Sequence, residues 1–368
     1  MGIADSASRG RELLRDQPIV LVATVVVAAL VLDLVRRVLA GDVTTSNVVV
    51  LVWRGVVNGL VIGLAGIGLS MTYSILNFAN FAHGDYITSG AFAGWATTWV
   101  IAGLGAADLG SLLLVGAGGN VFSSDLGTSI VTTPGAILAG LLISGVGAVV
   151  LALVIDRLVY RPLRGEDGIT LLIASIGVAF ALRYLLVFVF TTGVRSVAVT
   201  PPSFRFSILG VGMGFGYHEV TLLVCALALM AAVHLLLQRT KLGKAMRAMS
   251  DNEDLARITG IPTERVIRWT WILGAGLAGV AGYLLILESG TIAYNRGWIL
   301  LLFIFAAVIM GGIGSVYGAI LGGLIIGLTD TLSQVWLPSE FTQAAAFALM
   351  ILILLYRPEG LFAGRTTA

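Results

Sequence analysis

The amino-acid sequence predicts an all-α protein, a polytopic membrane helical bundle of about ten (8–10) transmembrane helices with one or more broken or re-entrant helices. Two observations support this fold class. Of the 368 residues, 58% are hydrophobic and 11% are charged, with a mean hydropathy of +0.99, whereas soluble domains are roughly 45–50% apolar and about 25% charged. In addition, windows of about 20 apolar residues, enough for one helical crossing of a hydrocarbon core about 30 Å thick, recur along nearly the whole chain.

Apolar windows with charged, proline or glycine borders define ten predicted spans. In chain order they lie near residues 18–38, 48–76, 86–106, 135–155, 169–190, 219–238, 267–287, 298–314, 316–333 and 341–356. The first follows a basic segment, as the apolar part of a secretory signal peptide does. However, Asp33, Arg36 and Arg37 stand where small cleavage-site residues belong, so we expect a retained span. Glycines between Trp298 and Leu332 indicate either two helices joined by a tight turn or one re-entrant element.

Arginine and lysine in short loops predict which side of the membrane each loop faces, because cytoplasmic loops are enriched in them. The loops 156–168 and 239–268 are the basic ones. We therefore expect both loops to be cytoplasmic, together with the N-terminal segment 1–17 and the C-terminal tail 357–368. A single transmembrane domain, 18–356, lies between the two ends, and we expect it to contact membrane lipid.

Composition disfavours several functional classes. A net charge of +2 indicates no nucleic-acid partner. Cys225 is the single cysteine, and His83, His218 and His234 are not at metal-ligand spacing, so no disulfide framework and no metal site are expected. No phosphate-binding G-x-x-x-x-G-K-[ST] loop occurs, so the chain is not expected to bind ATP. An enzyme is not expected either, because no span has a catalytic set of side chains.

Polar residues interrupt the apolar pattern in the segment LNFANFAHGDYITSGAFAGW, which starts at residue 76. They are Asn77, Asn80, His83, Gly84 and Asp85. Polar groups at membrane depth persist only when they are buried in protein or line a wet path, so we expect this segment to line the translocation path. Asp85 is expected to accept backbone N–H groups at the start of the next helix, and Gly84 to let the backbone turn. The alternative is that His83 and Asp85 form only a capping and turn motif at the membrane surface.

Four charged residues lie within predicted spans, where ionisable groups are costly and usually face the protein interior or an interface. Arg54 and Glu288 lie near span ends, where their side chains are expected to reach the lipid headgroups. Arg183 and Asp330 lie deeper, and we add both to the predicted translocation path. A zwitterionic solute needs partners for both of its charges, but the sequence does not indicate whether these two residues face one cavity.

The loop 239–268 predicts two short helices. On the first, an apolar stripe with the i, i+3, i+4, i+7 spacing of one helical face consists of Leu242, Ala245, Met246 and Met249. This stripe beside a basic face is expected either to dock on a partner protein or to lie on the anionic inner leaflet. The second helix follows Ser250 and Glu253, which have capping-box spacing, and stops at Gly260.

The motif NFANFAHGD at 77–85 resembles a segment of the branched-chain amino-acid permease subunits of ATP-binding-cassette importers, specifically the first of their two permease types. Three further segments support the resemblance: TKLGKAMRAMSDNEDLARITGI at 240–261, AAVIMGGIGSVYGAILGG at 306–323 and RPEGLF at 357–362. The broad group also includes urea, amide and sugar permeases. The chain departs from the pattern in an added span before Arg54 and in a longer Gly/Ser-rich loop at 107–134.

The resemblance implies a permease subunit in the cell membrane that passes branched-chain or other small amino acids delivered by an external solute-binding protein. Its implied partners are a second permease subunit, identical or different, and two ATPase subunits that use the ATP, so that the chain itself holds no cofactor. The loop 239–268 would fit a cleft of the ATPase, with Gly243, Ala248 and Gly260 in that contact. On this basis, Gly243→Trp is expected to uncouple hydrolysis from uptake without unfolding the protein.

One rival remains open from the residues alone: a self-contained secondary transporter or channel for a small polar solute such as urea or an amide. Glycine-broken helices and buried charges fit that class equally well. The amphipathic stripe in the loop 239–268 discriminates between the two classes, because a secondary transporter needs no docking face for a motor subunit.

Overall fold

A computed structural model describes residues 18–102, 128–197, 203–208 and 211–362. The predicted N-terminal segment 1–17, most of the loop 107–134 and the last six residues of the tail lie outside the described residues. Twelve α-helices occur within the described ranges. They are α1 (Pro18–Ala40), α2 (Thr45–Leu76), α3 (His83–Ala102), α4 (Pro134–Ile155), α5 (Gly168–Phe190), α6 (Tyr217–Arg239), α7 (Lys241–Asp251), α8 (Glu253–Ile258), α9 (Thr263–Ser289), α10 (Arg296–Gly311), α11 (Val316–Leu332) and α12 (Thr342–Tyr356).

Four short strands add a small β component to a chain that is otherwise mostly helical, as the sequence predicted. They are β1 (Arg195–Ser196), β2 (Ser203–Ile208), β3 (Val211–Gly216) and β4 (Thr291–Ile292). β1 pairs antiparallel with β4, and β2 pairs antiparallel with β3 as a hairpin. These strands follow α5 and α9, where the apolar windows end and glycine and β-branched residues begin.

The protein is a polytopic helical membrane protein. Seven stretches within the described residues are long and apolar enough to cross a membrane: Thr45–Leu76, Pro134–Leu163, Gly168–Phe190, Tyr217–Arg239, Thr263–Ser289, Val316–Val335 and Ser339–Tyr356. The predicted count of about ten is not confirmed on this criterion. Three predicted spans, α1, α3 and α10, are not among the seven. α10 has only 16 residues, and polar residues at the start of α3 dilute its hydropathy.

The glycine-rich region between Trp298 and Leu332 forms two helices joined by a tight turn, rather than one re-entrant element. α10 ends at Gly311 and α11 begins at Val316. In between, Gly312 and Gly314 have φ values of 100° and 85°, which only glycine adopts without strain.

Glycine seams hold the bundle together, as small residues do where lipid gives no hydrophobic drive for helix association. α2 packs along α11 through Gly59 and its neighbours. A Cβ atom at Gly59 would lie 2.7 Å from the Leu324 Cα, and one at Gly327 would lie 2.5 Å from the Gly55 carbonyl oxygen. No side chain fits at these contacts, so the two backbones touch.

The bundle has two ends, which we name by their contents. The strand end holds the β-strands; there, Trp53 near the start of α2 donates a hydrogen bond to Glu219 at 2.6 Å and packs against Phe215 of β3. The basic end holds residues 156–167 and α7–α8. The other end of α2 lies there, because the Asn77 carbonyl oxygen approaches Gly168.

Candidate translocation and coupling sites

A break between α2 and α3 places polar groups inside the bundle. α2 ends at Leu76, α3 begins at His83, and the residues between them are not helical. Asn77 makes the turn with φ 53° and donates its backbone N–H to the Tyr73 carbonyl oxygen at 2.8 Å. Gly84, expected to make this turn, lies within α3 with ordinary helical geometry. Asparagine adopts left-handed backbone conformations more readily than most residues, so Asn77 can make this turn without a glycine.

Side chains satisfy the backbone of the break. The Asn80 Oδ1 accepts from the Ala82 N–H at 3.1 Å, and the Ser175 Oγ of α5 accepts from the Phe81 N–H at 3.0 Å. Asn80 is fully buried. The break is therefore buried in protein, one of the two conditions under which such a segment persists at membrane depth.

Asp85 and Arg183 form a buried ion pair. Arg183 donates from Nη2 to Asp85 Oδ2 at 2.9 Å and from Nε to Oδ1 at 3.2 Å. The guanidinium also lies 4.5 Å from the centre of the Trp298 ring, which adds a cation–π contact. Asp85 is 0% exposed, so it does not cap a helix at the membrane surface. Both residues were singled out from sequence, but their pairing was not foreseen.

His83 and Gly84 attach α3 to its neighbours. The His83 Nε2 lies 3.0 Å from the Ala65 carbonyl oxygen of α2, and the ring is buried. A Cβ atom at Gly84 would lie 2.7 Å from the Gly297 carbonyl oxygen, so this glycine permits close approach of α10. The Gly297 N–H donates to Thr88 Oγ1 at 3.0 Å in the same contact.

Asp330 does not join this group. It lines a separate cavity near the strand end, together with Glu288 and Arg296. Six of the seven residues predicted for the translocation path therefore gather around the α2–α3 break, and the seventh belongs elsewhere. Glu288 was expected to reach the lipid headgroups, and the sequence did not single out Arg296. The two charges flank the short segment between two predicted spans, which is the sequence feature that could have indicated them.

The apolar stripe of α7 packs on the protein itself. Met246 is 2% exposed and Met249 is 3% exposed, and both belong to the main hydrophobic core. Leu242, Ala245 and Ala248 are partly buried against the same core. The protein's own core therefore covers the two methionines of this face, whereas Leu242, Ala245 and Ala248 remain partly exposed.

Gly243 is also buried, and it forms the corner between α6 and α7. A Cβ atom there would lie 2.5 Å from the Leu237 Cα. The side chain of Thr240 caps α7 by accepting the Gly243 N–H at 3.0 Å. This glycine allows a tight corner within the chain and is not on an exposed surface.

Two large apolar residues of α8 are exposed at the basic end, where Leu158 is exposed as well. Leu255 is 55% exposed and Ile258 is 81% exposed, while Ala256 on the other side of the helix is buried. The N-cap is Asn252, whose Oδ1 accepts the Leu255 N–H at 2.8 Å, rather than the expected Ser250. As expected, the helix stops before Gly260, which has φ 86° and is exposed.

A chain of polar and aromatic contacts leads from the start of α9, just after α8, into the bundle. Glu264 accepts from Arg164 at 2.8 Å, and the other end of that guanidinium binds both oxygens of Asp156 at 2.6 and 2.7 Å. The Trp271 Nε1 donates to the same carboxylate at 2.8 Å.

The chain of contacts continues to the α2–α3 break. The Tyr160 ring stacks on Trp271, with centroids 5.2 Å apart and planes 6° from parallel. The Tyr160 hydroxyl donates to Asn80 Oδ1 at 3.3 Å. We call the five residues Glu264, Arg164, Asp156, Trp271 and Tyr160 the relay. The sequence did not indicate the relay, because its members come from two short segments, 156–164 and 264–271, that are 100 or more residues apart in the contacts that join them.

The site has no arrangement typical of metal chemistry. Within the described ranges, no group of three or more His, Cys, Asp or Glu side chains is placed to hold a metal ion. What the arrangement offers is a buried polar break beside an ion pair and a connected path from that break to the basic end.

Comparison with known proteins identifies the family. The family model described as the permease component of branched-chain amino acid transport systems matches residues 51–354. The chain is 32% identical to the high-affinity branched-chain amino acid transport system permease protein LivH of Escherichia coli K12, over 84% of this chain and 93% of LivH. It is 29% identical to the corresponding protein BraD of Pseudomonas aeruginosa, over 83% of this chain and 94% of BraD.

A more distant likeness links the chain to a second kind of permease. It is 28% identical to the permease protein LivM of E. coli K12, over 39% of this chain and 33% of LivM. No solved structure matches the chain. The resemblance noted from the sequence motifs is confirmed: the chain belongs to the family of permease components of branched-chain amino acid transport systems.

Proposed function

We propose that this permease passes branched-chain or similar small amino acids into the cell as one subunit of an ATP-driven importer. The similarity to LivH and BraD, permease proteins of high-affinity branched-chain amino acid transport systems, supports the solute class. The observation that most supports an external motor is α8, a helix at the basic end that exposes two large apolar side chains although its own length is only six residues. Exposed apolar side chains of this kind mark interaction sites.

Two ATPase subunits are the proposed partners at α8. The chain lacks a phosphate-binding loop of its own, so a primary importer needs separate subunits to hydrolyse ATP. Leu255 and Ile258 would enter an apolar cleft on the ATPase. Because Gly243, Met246 and Met249 are buried within the chain and Gly260 is exposed, the proposed docking surface is α8 with the turn at Gly260.

The relay is the proposed route by which ATPase movement reaches the translocation path. α8 is tied to the following segment because the Ile261 N–H donates to the Ala256 carbonyl oxygen at 3.0 Å. Glu264 comes directly after, at the start of α9, and is the first member of the relay. A shift of α8 would thus move the ion-paired Asp156 and, through Trp271 and Tyr160, the broken segment at Asn80.

The translocation path is proposed to pass the α2–α3 break. Its residues would be Asn77, Asn80, His83, Asp85 and Arg183, held in place by the contacts described above. The side chain of Arg183 retains 11% exposure, so the guanidinium of this buried pair is not completely enclosed. A second permease subunit, like this chain or like LivM, would complete the path from the other side.

Orientation follows from the same arrangement. The basic end would face the cytoplasm, since cytoplasmic loops are rich in lysine and arginine. Both termini would then be cytoplasmic, and the strand end would face outward, where a solute-binding protein would deliver its cargo.

Purification of this chain together with its bound partners tests the proposal. The tagged chain is isolated from native membranes, its partners are identified, and ATP-dependent uptake of L-leucine is measured in proteoliposomes. We expect two ATPase subunits, and we expect Ile258→Asp to lose them because a charge replaces an exposed apolar contact. Leu337→Asp is the matched control, since Leu337 is exposed beyond the end of α11 and should not contact the ATPase. Uphill uptake by the chain alone would contradict the proposal.

A further inference from the structure

The cavity near the strand end is not part of the α2–α3 break. It has a volume of about 300 Å³ and lies among α2, α9, α10, α11 and the start of α12. Its polar residues are Asn58, Glu288, Arg296, Asp330, Thr342 and Gln343. Five helices converge there, so its shape is set by the bundle rather than by a single loop.

The charged side chains of this cavity make no direct contact with one another, and Glu288 interacts with Arg296, Arg54 and Glu219 only through longer-range electrostatics. Over the part of the chain that the structure describes, the side chains of Glu288, Arg296 and Asp330 form no hydrogen bond and no ion pair. The ion pairs Asp85–Arg183 and Asp156–Arg164, by contrast, have contacts of 2.9 and 2.6 Å. Charges near membrane depth are costly unless they are paired or face water or a ligand. Both signs therefore face the cavity and are available to a ligand.

The remaining wall of the cavity is apolar. It consists of Val61, Ile62, Leu285, Ile299, Leu300 and Phe303. A ligand that fits the whole cavity thus needs an apolar part, a positive group for the carboxylates and a negative group for the guanidinium. Urea and neutral sugars have none of the charges, and a simple cation or anion satisfies only one side.

The geometry points to a binding site for a zwitterionic amino acid with an aliphatic side chain. The α-ammonium group would lie between Glu288 and Asp330, the α-carboxylate would bind Arg296, and the side chain would rest on Leu300 and Phe303. This inference rests on the proposed function for its solute and adds the place where this chain holds that solute. It also explains why Asp330 lies apart from the other residues predicted for the path.

Cysteine labelling tests the site without requiring transport. Gln343 is an exposed lining residue, and Cys225 is the single cysteine of the chain. The full chain carrying Cys225→Ser and Gln343→Cys is placed in lipid nanodiscs and treated with a hydrophilic maleimide. We expect L-leucine to slow the labelling. We expect 4-methylpentanoate, which lacks the ammonium group, and 3-methylbutylamine, which lacks the carboxylate, not to slow it.

Substitutions then assign the two charges. In the same background, Arg296→Gln and Asp330→Asn should each raise the leucine concentration that half-protects the introduced thiol by about tenfold or more, because each removes a charge-assisted contact. Glu340→Gln is the control, since Glu340 is exposed near α12 and does not line the cavity. Equal protection by 3-methylbutylamine, or protection unchanged in both cavity variants, would overturn the inference.

Failure of the proposed binding site can be distinguished experimentally from failure of the proposed importer function. ATP-dependent uptake of L-leucine is measured with the complete transporter of wild-type sequence, with Arg296→Gln and with Glu340→Gln. Wild-type uptake without any leucine protection overturns the site and leaves the importer standing. Protection without ATP-dependent uptake supports the site and counts against the importer. Uptake that falls about tenfold or more in Arg296→Gln but not in Glu340→Gln is the expected result.

Discussion

The Trp271 indole donates a hydrogen bond to the Asp156 carboxylate at 2.8 Å, so a residue of α9 is fastened to the turn that ends α4. The same carboxylate holds both Arg164 contacts. Two donors thus depend on one acidic side chain, which makes Asp156 the residue whose loss has the largest effect on the relay.

Asp156→Ala is expected to destabilise the protein by about 3–5 kcal/mol, because it leaves a guanidinium and an indole N–H without their acceptor in a largely buried site. Thermal unfolding of the purified chain in detergent measures this. Glu264→Gln serves as the control, because Glu264 is largely exposed, and its loss should cost at most about 1 kcal/mol. Equal effects of the two substitutions would contradict the proposed importance of Asp156.

Asp85→Asn and Arg183→Met are each expected to lower stability markedly, because each leaves one partner of a buried pair uncompensated, at a cost of about 3–5 kcal/mol. The double variant should recover much of this stability, since a neutral pair needs no counter-charge. Thermal unfolding of the two single variants and the double variant measures the coupling. Additive losses in the double variant would mean that the two charges do not depend on each other.

Gly243→Ala is expected to destabilise the α6–α7 corner by about 1–3 kcal/mol, since its methyl group meets the Leu237 backbone. Gly165→Ala is the matched control, with no atom within 4 Å of its new methyl group, and should change stability by less than about 0.5 kcal/mol. The larger Gly243→Trp substitution is therefore expected to disrupt folding rather than to uncouple hydrolysis selectively. A Gly243→Ala variant as stable as the unmodified chain would contradict this.

Tyr160→Phe is expected to reduce uptake more than stability. It removes the hydrogen bond to Asn80, worth about 0.5–1.5 kcal/mol, and keeps the ring stacked on Trp271. Uptake and ATP hydrolysis are measured together, because a relay residue should alter the ratio of the two. Tyr356→Phe, at the exposed end of α12, supplies the comparison. An equal ratio of uptake to ATP hydrolysis in Tyr160→Phe and Tyr356→Phe would refute the proposed role of Tyr160 in the relay.

Much of the fold was predictable because it depends on local composition. The predicted starts and ends of the spans agree with most helix bounds, since a helix in lipid must bury its own backbone polar groups within one apolar stretch. The break after Leu76 was also predictable, because asparagines there interrupt the apolar pattern. The count of spans was not, since α3 and α10 are polar or short and are held by neighbouring helices.

The candidate sites were predictable only in part. Arg183 stood out as a charge within a predicted span and Asp85 as a polar residue that interrupts the apolar pattern, but their sequence separation of 98 residues hid the pairing. The α7 stripe had the correct helical periodicity, yet periodicity alone does not distinguish a face that packs on the same chain from one that awaits a partner. The exposure of Leu255 and Ile258 is evident only once the bundle is assembled.

The sequence by itself determined that this is a polytopic membrane protein, where its chain breaks and which of its loops are basic, because hydropathy, glycine and charge act over short stretches of chain. The tertiary structure alone decided which charges pair, which apolar face remains open and which residues share a cavity. Those relationships arise between helices far apart in sequence, and they depend on how closely the glycine seams let the helices approach.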